Sequence, residues 1–108
     1  MKNEAINDIG SDLEITDARR RESCGGTWIS GTVGQYRFQA LVFPEHAENP
    51  GYEIADSRIS KLWIQRQADK AVVFNWDRGA DIPAANRETQ AVVEFLCEGL
   101  AEFAYPEI

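Results

Sequence analysis

The single histidine of this chain, His46, stands between Glu45 and Glu48 in a loop bounded by Pro44 and Pro50. An imidazole among carboxylates is the makings of a proton-transfer pair or of part of a metal site. With no second nitrogen or sulfur donor nearby it falls short of a ligand set, and an exposed loop histidine is the plainer expectation. Two further groupings fall at the ends of predicted strands, where sites are often built: Asp56-Ser57-Arg58 and Asp77-Arg78-Gly79-Ala80-Asp81. Asp77 and Asp81 would serve as a general acid and base if Arg78 or a strand-end neighbour separated their pKa values. Turn chemistry accounts for the same residues more simply, because Asp accepts hydrogen bonds from the backbone that follows it and Gly79 supplies a positive φ. His46, Asp56, Arg58, Asp77 and Arg78 together define a candidate pocket, that of a small enzyme or ligand-binding domain.

Other catalytic chemistry finds little support. Ser57 and Ser60 have no histidine partner in sequence, and Cys24 and Cys97 sit in no motif that lowers a thiol pKa. Gly31-Thr32-Val33-Gly34 matches neither dinucleotide nor phosphate-loop spacing. Nothing in the sequence calls for a metal or a cofactor, and no residue is assigned a catalytic role. The two cysteines lie far apart without CxxC spacing, and with no secretory leader in view they point to free thiols in a reducing cytoplasm. No apolar run approaches the ~20 residues needed to span a bilayer, so no membrane partner is expected.

The charge is unevenly placed. Of the net −7, residues 1–25 contribute −2 (four basic, six acidic), residues 26–80 contribute zero (six of each) and residues 81–108 contribute −5 (one basic, six acidic). An acidic whole argues against direct nucleic-acid binding, which relies on Lys and Arg to displace counterions. It suits a protein partner with a basic surface. The candidate docking surface is the stripe Glu94, Glu98 and Glu102, with Phe95 beside it as an aromatic anchor. A solvated acidic face is the plainer account of the same residues. Self-association, joining basic sheet residues of one copy to this stripe on another, is a further possibility.

The elements that position these groups are legible in the hydrophobic pattern. Val33 and Tyr36 flank Gly34-Gln35, and glycine first in a two-residue loop suits a type II′ hairpin turn. Pairing outward in that register puts Ile29, Gly31, Val33, Tyr36, Phe38, Ala40 and Val42 on one face. A slip of one residue would mix apolar and polar on both faces. A second hairpin is predicted from Arg58–Arg66 and Lys70–Trp76, with Leu62 and Ile64 inward and Lys61, Trp63 and Gln65 outward. Arg37 and Gln39 would then neighbour Lys61, Trp63 and Gln65 on the outer face. That face suits a single nucleic-acid strand, a partner, or cover by the N-terminal segment, the second and third being favoured by the overall charge. Residues 44–54 read as a loop. Asn86 is a fitting N-cap for a helix over Asn86–Phe103, whose stripe Thr89, Val92, Val93, Leu96, Cys97, Leu100 and Phe103 faces the sheet. The expected architecture is α+β: a four-stranded antiparallel sheet of two β-hairpins with the C-terminal helix packed on one face. Residues 1–26 are read as a polar, weakly ordered lead-in, in which Ile6, Ile9, Leu13 and Ile15 suit a short helical turn or a strand docked on the sheet, and residues 27–108 as a single ββββα domain.

Three blocks carry a family likeness: Trp28-Ile29-Ser30-Gly31-Thr32, Arg58-Ile59-Ser60-Lys61-Leu62-Trp63-Ile64 and Asp77-Arg78-Gly79. They resemble a family of small bacterial and phage-borne proteins that repeats a Trp-Ile-Ser-Gly opening, an Arg-Ile-Ser-Lys-Leu block and a Tyr-Asp-Arg-Gly-Trp-Asp block. The last block departs from that pattern here, reading Trp76-Asp77-Arg78-Gly79-Ala80-Asp81. The likeness covers roughly residues 28–83; it implies a compact β-rich domain and supplies no activity. The resulting expectation is a cytoplasmic, non-enzymatic interaction protein, an accessory or inhibitor module that presents its acidic helix.

Overall fold

In β2, Thr27–Val33, and β3, Tyr36–Val42, every pair of facing residues from Thr27↔Val42 to Val33↔Tyr36 follows the register expected from the Gly34 turn. Gly34 takes φ +57°, the left-handed region that a glycine enters without penalty. The inward set is buried as the alternation requires, with Ile29 and Ala40 wholly inaccessible. The structure is a computed structural model and describes residues 12–22, 25–55 and 57–106. Cys24 and Asp56, and the Ile6 and Ile9 of the lead-in, lie outside the described residues.

The sheet has six strands rather than four, all antiparallel and in sequence order. Besides β2 and β3 it contains β1, Leu13–Arg20; β4, Ile59–Arg66; β5, Val72–Asp77; and β6, Ala80–Ile82. Both extra strands are edges. In β1 only Leu13 and Ile15 rest against the core, after which a bulge at Ile15/Asp17 breaks the period and the rest is exposed. Two inward residues are too short a run to announce a strand. β6 is three residues long and emerges from the Asp77–Asp81 segment that reads as a turn. Arg78 and Gly79, at φ +56° and +147°, make the reversal, and the chain then pairs back on Asn75 and Trp76. Consecutive burial of Val73 and Phe74 is explained by a second irregularity, between Ile64 and Gln65, which turns two neighbours of β5 inward.

The helix, α1, runs Arg87–Ala104, and the Asn86 side chain accepts the Thr89 N–H at 2.9 Å as its cap. It buries Thr89, Val92, Val93, Leu96 and Leu100 against the sheet. At ~1.5–3 kcal/mol for each fully buried aliphatic side chain, this packing exceeds the ~0.2–0.5 kcal/mol cost of each like-charged pair along Glu94, Glu98 and Glu102. The stripe drifts at its end. Phe103 is 52% exposed rather than inward, and Ala104 and Tyr105 close the core in its place. The reason is a polar clasp from the other end of the sheet. Thr27 Oγ1 lies 2.8 Å from the Tyr105 hydroxyl, and the Arg20 guanidinium stacks 4.7 Å over the Tyr105 ring while donating to the Ala104 carbonyl at 3.1 Å. That cation sits where the C-terminal end of the helix dipole favours one.

The outer face of the sheet holds Trp28 and Trp63 half-buried, with the Arg37 guanidinium 5.9 Å from the Trp63 ring centre. Because Leu13–Arg20 pairs beside β2, this part of the lead-in extends the sheet instead of lying across it. Only the open end of the hairpin is covered: Gly26 lies against Leu41 and Phe43, and Leu41 is buried to 2% exposure.

Candidate functional site

Five chain segments meet at that covered end and leave a cleft of about 550 Å³ among them. The segment after β1 contributes Arg21, and the end of β3 contributes Leu41 and Phe43. The loop before β4 contributes His46, Tyr52 and Glu53. The start of β4 and the β5–β6 turn contribute Arg58, Ser60, Lys61 and Arg78. Of the five pocket candidates read from the sequence, the structure brings His46, Arg58 and Arg78 together here. Asp77 lines a neighbouring, shallower depression of about 240 Å³ between Trp28 and Trp63, which shares Lys61 with the cleft. Asp77 Oδ1 lies 3.7 Å from Lys61 Nζ, and Asp81 accepts a hydrogen bond from Asn75 Nδ2 at 3.2 Å, so each of these acids has its own partner.

The local backbone shows why these cations converge. Arg58 and Arg78 take φ +66° and +56°, a conformation uncommon for side chains other than Asn, Asp and His. Strain of this kind persists where surrounding contacts enforce it. Here the Arg78 N–H donates to the Ser60 carbonyl at 2.9 Å, which ties the β5–β6 turn to the start of β4. The Phe43 N–H donates to the Arg58 carbonyl at 2.9 Å, and Arg58 Nη1 donates to the Pro44 carbonyl at 2.7 Å. Arg78 rests 6.0 Å from the centre of the Tyr52 ring and Arg21 5.9 Å from that of Phe43. Among the described residues neither Arg58 nor Arg78 forms an ion pair.

The carboxylate partner of His46 is neither Glu45 nor Glu48 but Glu53, seven residues on. Asn49 and Pro50 start a short 3₁₀ turn, Pro50–Tyr52, in which the Asn49 side chain accepts the Gly51 N–H at 2.9 Å. That turn folds the loop back and delivers Glu53 beneath it, its side chain 4% exposed. Glu53 Oε2 lies 2.8 Å from His46 Nδ1, and Oε1 accepts the Ala47 N–H at 2.7 Å. Burial pushes the Glu53 carboxyl up, but hydrogen bonds from the Ala47 N–H, the His46 ring and the Arg58 N–H outweigh it and hold its pKa below the ordinary value. A buried carboxylate without these donors would be costly. Sequence reading missed Glu53 because no period governs a loop. The available signal was the Asn49-Pro50-Gly51 turn, which folds the chain back toward His46.

The acidic stripe is arranged differently from its expectation. Glu94, Glu98 and Glu102 are exposed, but Phe95 packs against the core and the exposed aromatic of this helix is Phe103. Cys97 is a free thiol, half-buried. Burial pushes its pKa up to about 11, with Glu94 and Glu98 adding to the rise against a hydrogen bond from Ser57. Among the described residues no three His, Cys, Asp or Glu side chains gather as a metal site, and no helix is long and apolar enough to cross a membrane.

Residues 27–101 match the family described as a domain of unknown function, DUF7678. No curated protein and no solved structure gives a significant match.

Proposed function

The chain belongs to the DUF7678 family, the match spanning more than half its length, and we propose that its cleft is a binding site for a small organic anion. The observation that carries this reading is the meeting of Arg21, Arg58, Lys61 and Arg78 around one concavity in a chain of net charge −7. Guanidinium groups present forked donors that fit carboxylate and phosphate oxygens, and Arg58 and Arg78 have no competing carboxylate in an ion pair among the described residues. Phe43 and Tyr52 add flat apolar surface, so an anion joined to a ring suits the site better than a bare ion. Two strained arginines at the same cleft are the further support. Three of the four cations, Arg58, Lys61 and Arg78, fall within the matched residues 27–101.

Isothermal calorimetry with phenyl phosphate tests it. The wild-type chain should bind, with affinity falling as salt rises, and R58M and R78M should each weaken binding at least about tenfold, the loss of a charged hydrogen bond worth ~1.5–3 kcal/mol. Binding that both substitutions leave untouched would place the ligand elsewhere.

A second reading concerns α1. Glu94, Glu98 and Glu102, all exposed and four residues apart, form an acidic stripe suited to a basic protein surface in an accessory or inhibitory complex. The −5 concentrated in residues 81–108 favours it. Replacing the three glutamates by glutamine should abolish such a complex and leave the cleft's ligand binding intact.

A further inference from the structure

We propose that His46 and Glu53 form a proton-transfer dyad acting on a phosphodiester held in the cleft, an inference that rests on the anion-binding reading above. The geometry is that of a positioned base. Glu53, buried, takes His46 Nδ1 at 2.8 Å on one oxygen and the Ala47 N–H at 2.7 Å on the other, so both of its oxygens are held by the loop that carries the histidine. A carboxylate in this place accepts the imidazole proton on Nδ1 and leaves Nε2 with its lone pair. The His46 side chain is 59% exposed and lines the same cleft as the cations. The dyad thus joins a rigid buried end to an end open to whatever the cleft holds.

The nucleophile is water. No Ser, Thr or Cys among the described residues is hydrogen-bonded to His46; Ser57 Oγ is engaged with the Ile59 N–H at 3.1 Å, and Cys97 lies on α1, outside the cleft lining. The substrate class follows from the shape. The cleft and the depression between Trp28 and Trp63 have Lys61 as a common wall, so a phosphate held at Lys61 has a concavity on either side for an organic arm. In the step, the water oxygen bonds to phosphorus while one of its protons passes to His46 Nε2. The bond from phosphorus to one ester oxygen breaks, and that oxygen leaves as an anion or takes a proton from solvent in the open cleft. Arg58, Lys61 and Arg78 offset the charge that gathers on the non-bridging oxygens. The products are a phosphomonoester and an alcohol or phenol, and the imidazolium returns its proton to solvent. His46 is the catalytic residue and Glu53 a positioning residue.

Bis(p-nitrophenyl) phosphate is the probe, with two aromatic arms and a leaving group that needs no proton. The full chain should release p-nitrophenolate with saturable kinetics. H46N, at an exposed side chain, should keep the fold and phenyl phosphate binding but lose about 100-fold or more in kcat, the usual contribution of a general base. E53Q should lower kcat with KM little changed; because it alters a buried group, its circular dichroism is compared with wild type, and H46N decides if it does not fold. Phenyl phosphate binding without turnover, or turnover undiminished in H46N, overturns the dyad while leaving the binding site standing. Neither binding nor turnover overturns both.

Discussion

Gly31→Ala should detach or displace the first strand. Gly31 sits in β2 between Ile15 of β1 and Phe38 of β3. A Cβ built there would lie 2.3 Å from the Glu14 carbonyl oxygen and 3.1 Å from the Phe38 ring. Phe38 is a core side chain at 1% exposure and cannot retreat, so relief has to come from β1. Overpacking of this kind costs ~1–3 kcal/mol. A ceiling is set by complete release of β1. Leu13 and Ile15 are half-buried, worth about half of the ~1.5–3 kcal/mol of a fully buried side chain, or roughly 1.5–3 kcal/mol together. The Arg20–Tyr105 stacking adds ~0.5–1 kcal/mol. Replacing glycine also restricts the unfolded chain, which returns ~0.4–1 kcal/mol. The net expectation is a loss of ~1–3 kcal/mol, and at ~4–8 °C per kcal/mol for a domain of this size Tm should fall by about 5–20 °C. Thermal unfolding followed by circular dichroism measures the shift, and native-state trypsin digestion reads the location, since Arg19, Arg20 and Arg21 should be cut sooner. A variant within about 3 °C of wild type by that scale, with an unchanged tryptic pattern, would refute the close approach of β1 and its anchoring role.

Two further outcomes follow from the pKa directions. Cys97, with its thiol pushed up to about 11 chiefly by burial, should react with iodoacetamide far more slowly than free cysteine at pH 8 and speed up as pH rises towards that value; fast labelling of Cys97 at pH 7, located by peptide mapping, would contradict its packing. Glu53 has a folded pKa below its unfolded value, so its contribution to stability is full above the usual glutamate pKa of about 4.3 and is lost as pH falls through the lower folded value. The urea midpoint should therefore fall more steeply between about pH 5 and 3 in wild type than in Glu53→Gln, and parallel curves would show that the carboxylate is not selectively stabilised in the fold.

Much of the central sheet and the helix was written in local pattern. The β2–β3 register follows from Gly34 and strict alternation, because a slip of one residue would put the whole apolar set in water. The helix start follows from Asn86, whose side chain satisfies a backbone N–H that the helix itself leaves open. Leu62 and Ile64 turned inward as their alternation with Lys61, Trp63 and Gln65 implies. The edges of the sheet were not fixed by pattern: Leu13 and Ile15 suit a docked strand or a helical turn alike, and β6 reads as a turn. β1 and β6 exist because a neighbouring strand offers unpaired backbone groups, a fact about the partner and not about the residues that pair. The end of the helix was misread for a similar reason: Phe103 continues the stripe, but Thr27 and Arg20, far away in sequence, recruit Tyr105.

The candidate site divides along the same line. His46, Arg58 and Arg78 could be singled out as residue types at strand ends, because turns and strand ends are marked by glycine, proline and short polar side chains. That they share one cleft with Arg21 and Lys61, and that the histidine's partner is Glu53, depends on loop closure and strand order, which carry no period. Local alternation therefore determined which faces are buried. Only the tertiary fold decided which cations meet and which carboxylate orients the imidazole, because proximity between distant residues is a property of the packed sheet and loop, not of any one segment.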